Sequence, residues 1–211
     1  MSKIFRMSSD NLHDLVYSKN VVEFVAVANE FCRMVERVSG MDEAYLFSTM
    51  QKLLPLLYLK ASLLPETEPV SEDELEKFVS EYEYNLLLQK WISKLGEHDD
   101  FQEVFDPELQ SGLEPVRAGI SEHILDIYQD VRDFLSSYQF GNEEVMNDAL
   151  ADCVSHFKTF WGQRLVNVMR PIHALIYADK NPDGLRPARK YKSQGKKDKG
   201  WVEGFFNEFG G

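Results

Sequence analysis

Three residues in the stretch EHILDIYQDVRDF, 122 to 134, have types and spacing suited to chemistry: His123, Asp126 and Asp130 follow one another at i, i+3 and i+7. On a helix that spacing sets one imidazole and two carboxylates along a single edge, the arrangement from which helical bundles build sites for hard cations. A second acidic group, Glu97-His98-Asp99-Asp100, lies in the long irregular stretch 96 to 115. Together His98, Asp99, Asp100, Asp126 and Asp130 make a candidate divalent-metal site, with metal-assisted hydrolysis as the chemistry it could serve. The competing expectation is architectural, because acids beside an apolar seam are commonly solvated or paired with a base on the next helix. Neither Glu-x-x-His nor His-Glu-x-x-His occurs in the chain.

A basic competitor for those carboxylates is present. Met146, Cys153, Phe157, Phe160, Val168 and Leu175 define an apolar helical line, and Arg164 falls almost in its middle. A guanidinium buried there without a partner is costly, so the sequence predicts an ion pair from Arg164 to Asp130 or Asp126, bidentate where geometry allows. The other reading of Arg164 is an anion clamp with Gln163, Asn167 and Arg170 beside it. His156 and His173 read as structural or surface histidines. No GxSxG and no glycine-rich phosphate loop appears.

The elements that must position these groups read as helices throughout. Val21, Phe24, Val25, Ala28, Phe31, Cys32, Val35 and Val38 recur with helical spacing, giving a first core helix over about 19–38. A second spans about 42–64 with Pro55 inside, where a kink is expected rather than two separate helices. Ser71 followed by Glu74 forms a capping-box pattern and predicts a third helix to about Leu95, closed by Gly96. The fourth starts near Pro115 and runs to about Tyr138. Its residues Ile120, Ile124, Ile127, Val131, Phe134 and Tyr138 lie within about 40° of one line at 100° per residue. Gly141 and Asn142 mark a break before a last helical segment reaching about Tyr177. As one rod that segment would be about 54 Å long, so a bend at Gly162 or Pro171 is expected.

No stretch alternates with period two, and the expected fold is all-α, an irregular bundle of about five to seven helices with a flexible C-terminal tail. A hydrophobic share of 44% over 211 residues suits one helical domain, 1–179. Residues 180–211 read as a basic linker and an aromatic tail. Residues 180 to 199 hold eight bases against Asp183 and Asp198, a balance of +6, so the rest of the chain carries −18 of the total −12. That acidic body argues against binding a phosphate backbone, with weak RNA contact through 180–199 as the exception. Trp201, Phe205, Phe206 and Phe209 follow the linker and make it a tethered ligand, anchored in a partner protein's groove or in the chain's own body.

Cys32 and Cys153 lie on apolar faces without metal-binding spacing and read as buried thiols of a reduced, cytoplasmic protein. MSKIFRMSSDNLHDL lacks an apolar core of signal-peptide length, and no apolar run is long enough for a membrane span. Four blocks resemble an uncharacterised family of bacterial helical proteins, domain of unknown function 5063. They are LLPLLYLKASLLPE (53–66), GEHDDFQEVFDP (96–107), ISEHILDIYQDVRDF (120–134) and ALADCVSHFKTFWGQRLVNVMRPIH (149–173). The resemblance covers roughly residues 20–178 and implies a cytoplasmic all-α protein; it implies no reaction, cofactor or catalytic residue. The expectation is therefore a non-enzymatic interaction or accessory protein with no cofactor. A metal-dependent hydrolase is the alternative, and an RNA-associated protein the second.

Overall fold

The computed structural model describes residues 9–72, 74–103, 116–139 and 142–177. They form an irregular all-α bundle of seven helices: α1 (Ser9–Val16), α2 (Lys19–Glu36), α3 (Glu43–Ser62), α4 (Glu81–Leu95), α5 (Ile120–Tyr138), α6 (Glu143–His156) and α7 (Gly162–Tyr177). The linker 180–199 and the anchors Trp201, Phe205, Phe206 and Phe209 lie outside the described residues, as does Gly141.

Local sequence accounts for most helix ends. Asp42 accepts from the amides of Ala44 and Tyr45 and starts α3, which then runs through Pro55 as one helix. Asn142 caps α6 through the amide of Glu144. Gly96 closes α4 at φ 51°, a left-handed conformation that side chains disfavour. α2 and α3 pack antiparallel, with Lys60 bonded to Glu23 and Asn20 to the carbonyl of Leu63.

α5 is the central helix and packs against α2, α4, α6 and α7. Ile120, Ile124, Ile127 and Val131 are fully buried, each contributing about 1.5–3 kcal/mol of apolar transfer energy. Trp91 and Trp161 are also fully buried, and each satisfies its indole N–H, on the carbonyl oxygens of Val35 and Cys153.

The expectation for the third helix is corrected. The described residues of 63–80 form no helix, and α4 opens at a capping box nine residues after Ser71, Ser80 with Glu83. The Ser71–Glu74 pattern fails because the neighbouring amides are taken from outside. Val70 and Ser71 donate to Asp148, and Phe78 and Val79 donate to Asp133. In a helix opened at Ser71 the amides of Phe78 and Val79 would have to donate to the carbonyls of Glu74 and Leu75, and Asp133 holds them instead.

Two short strands also depart from the expected pattern. β1 (Asp100–Glu103) and β2 (Val116–Gly119) pair antiparallel with Asp100 opposite Gly119, and α5 starts at Ile120 rather than near Pro115. Four residues are too few to display period-two alternation. The last helical segment is interrupted by a π turn, Phe157–Trp161, immediately before Gly162. Any side chain at Gly162 would collide with the Phe157 carbonyl, so the glycine is what lets the turn close.

Candidate functional site

The five candidate metal ligands do not converge. His98 lies 3.6 Å from Glu43 and edge-on to Phe47. Asp100 is exposed on β1. Asp99 is buried and caps α5 from outside: Oδ1 accepts from the Ser121 amide at 2.7 Å, Oδ2 from the Ser121 hydroxyl at 2.7 Å, and its carbonyl accepts from the Ile120 amide. The β ladder sets it there. Gly119, the residue before the helix, has no side chain to cap with, so the carboxylate of Asp99, 22 residues before Ser121, meets the positive helix end. His123 is buried too, its Nδ1 3.2 Å from the Gly119 carbonyl and its ring edge-on to Phe101.

Asp126 faces α4 and α7. Tyr84 donates its hydroxyl to Oδ1 at 2.8 Å, and Arg164 Nε lies 3.0 Å from Oδ2. The Nε–H is not aimed at that oxygen, so the contact is a charge pair rather than the expected fork. Arg164 also stacks on Phe160, 4.5 Å from the ring centroid. Burial, and then the hydrogen bond to Asp126, push the Tyr84 phenol well up and keep it a donor.

Asp130 is not the partner of Arg164. It bonds to His156 Nδ1 at 2.7 Å, while His156 Nε2 lies 3.6 Å from Asp152 and Lys77 reaches Asp152 at 3.1 Å. Asp130, Asp133, Asp152, Lys77 and Cys153 line a small cleft under the segment 65–80. Burial raises the Asp130 carboxyl above its ordinary value, against the lowering by His156. Cys153 and His156 do not make a thiolate pair, since both ring nitrogens turn to carboxylates and burial pushes the thiol far up. Among the described residues no three His, Cys, Asp or Glu are arranged to hold a metal ion.

The acids that sequence reasoning missed are Asp133 and Asp148. Asp133 holds the amides of Phe78 and Val79 at 2.8 and 3.0 Å; Asp148 holds those of Val70 and Ser71 at 2.6 and 3.0 Å. Asn147 adds a bond to the Glu68 carbonyl and accepts from Thr67. These three buried side chains fasten the segment 65–80 to α5 and α6 as a strap. A signal existed: both carboxylates precede core residues, and neither has a base three or four positions away, so each needed a distant donor.

Residues 15–178 match the family described as a domain of unknown function (DUF5063). A crystal structure of protein BF1032 from Bacteroides fragilis is similar, at 40% sequence identity and a TM-score of 0.70, covering 83% of this chain and 99% of that one. No curated protein matches the chain. No helix among the described residues is long and apolar enough to cross a membrane.

Proposed function

We propose that this protein, which belongs to the DUF5063 family, is a non-enzymatic accessory protein of the cytoplasm that binds another protein. One observation carries the reading. The carboxylates best placed for chemistry already receive donors from this chain: Asp99 from Ser121, Asp126 from Tyr84 and Arg164, Asp130 from His156, and Asp133 and Asp148 from backbone amides. Cys32 and Cys153 are free and buried, which suits a reducing compartment. In this reading residues 1–179 are the helical body, and 180–211 are an arm that carries Trp201, Phe205, Phe206 and Phe209 to the partner.

The test has two arms on the full-length protein. Thermal melts with Mg²⁺, Mn²⁺ or Zn²⁺ against a chelator are expected to coincide. A ligand of the native state at a hundredfold its Kd would add about 2.7 kcal/mol, so a raised Tm with any one cation overturns the reading in favour of a metal-dependent site. Affinity capture is expected to recover a protein that is lost when Trp201, Phe205, Phe206 and Phe209 are all replaced by serine. An unchanged set of captured proteins removes the arm from the function.

A further inference from the structure

α3 carries more apolar surface than the described residues cover. Its inner side, Leu46, Met50, Leu53, Leu54, Leu57 and Ala61, is buried in the core. On the outer side Tyr58, Leu59 and Leu63 remain 39%, 51% and 45% exposed, and Pro55 is exposed with them. At 100° per residue Pro55, Leu59 and Leu63 fall within about 80° of one another, where a solvent-facing helix ordinarily carries charge. The polar residues on that side are Ser48, Gln51, Lys52 and Ser62, of which Lys52 alone is charged and only Lys52 and Ser62 are exposed. The nearby charges turn aside, Lys60 to Glu23 and Glu66 to Lys158. Tyr58 packs edge-on against Phe157 at 5.1 Å and extends the face to the π turn. Contiguous exposed apolar side chains of this size mark a surface that something covers.

We propose that the outer face of α3 is the dock for the chain's own segment 201–209, with Trp201, Phe205, Phe206 and Phe209 lying on Pro55, Tyr58, Leu59 and Leu63. Two observations select this occupant. The first is where the described chain stops: α7 ends at Tyr177, whose hydroxyl accepts from Gln51 of α3 at 2.7 Å. From Gln51 to Leu59 is about 12 Å of helix, well within the span of residues 178–200. The second is charge. The strap that follows α3, 65–79, holds Glu66, Glu68, Glu72, Asp73, Glu74 and Glu76 against Lys77 alone, while 180–199 carries +6. A linker lying over those acids delivers the aromatics to the adjoining face. A second copy of the chain would instead bring another net charge of −12 towards the first. Tethering keeps the local concentration of the segment high, so weak aromatic contacts suffice. The dock is occupied in the resting protein, and a partner of the arm competes with it.

Trp201 reports the docking directly, because Trp91 and Trp161 are fully buried and shielded from a neutral quencher. Acrylamide quenching is compared between the full-length chain, Trp201→Phe, Leu59→Glu and the double variant Phe205→Ala/Phe206→Ala. The unsubstituted chain is expected to quench as little as Trp201→Phe. Leu59→Glu is expected to raise the accessible tryptophan fraction about tenfold, the ratio set by a docking preference of about 1.4 kcal/mol. The double variant does the same without touching the helical body, which keeps the test decisive if Leu59→Glu disturbs folding. Trp201 equally quenchable with and without these substitutions overturns the proposal. Shielding that disappears on dilution also overturns it, since the segment then docks on a second copy. Neither result bears on metal binding or on capture through the arm, so the functional reading stands or falls separately.

Discussion

Two carboxylates of α5, seven residues apart and so on one side of the helix, are held by different kinds of donor. Towards the strap, Asp133 is buried and takes two backbone amides, with Asp148 of α6 doing the same a few residues along. Towards α7, Asp126 takes a tyrosine hydroxyl and the charge of Arg164, a pair whose side chains are 19% and 34% exposed. Backbone donors cannot swing to water without moving the chain, whereas a guanidinium on a flexible stem can. The same residue type, two turns apart on one face, thus fixes backbone at one level of the helix and adjusts a surface at the other.

That contrast ranks the effects of substitution. Asp133→Ala leaves two amides without their acceptor and is expected to cost about 3 kcal/mol, a fall in Tm of about 6–12 °C, with faster hydrogen exchange at Phe78 and Val79. A loss below that of Arg164→Leu would break the comparison. Arg164→Leu keeps an apolar contact with Phe160 and removes a partly exposed pair, so less than about 1 kcal/mol is expected, shrinking further at high salt.

The smallest effect appears as pH dependence at Asp130. Its folded carboxyl titrates above the unfolded one, chiefly through burial, so between those two values the folded state binds more protons. Stability is therefore present below the ordinary carboxylate range and declines as pH rises from about 4 through the raised value. Asp130→Asn keeps an oxygen acceptor for His156 and is expected to flatten that decline in urea titrations at stepped pH. An unchanged slope would show that the cleft is wetter than its burial implies.

Much of the bundle is readable from residue order because its causes are local. The seam of α5, the run of α2 and the cap at Asn142 each follow from neighbours within a turn or two. Arg164 in an apolar line forecast a carboxylate partner, yet the choice of Asp126 over Asp130 depends on the rotation of α7 against α5, which no spacing encodes. The strap was misread for a related reason. Ser71–Glu74 and Ser80–Glu83 are equal as patterns, but Asp148, far along the chain, holds the Ser71 amide that Glu74 would take, and Asp133 holds the Phe78 and Val79 amides that such a helix would use. The role of Asp99 was hidden likewise, since a β ladder too short to read brings it to Ser121.

The strap also makes the molecule separable from its own covalent continuity. It is anchored near each end by a different helix, Val70 and Ser71 on α6 and Phe78 and Val79 on α5, with acidic residues between. A glutamate-directed protease has its sites in that interval, and such loops are where nicking concentrates. A single cut there leaves both new ends tied down and the apolar core bridging them. The expected product is a nicked protein that shows two bands under denaturing conditions and one particle in solution.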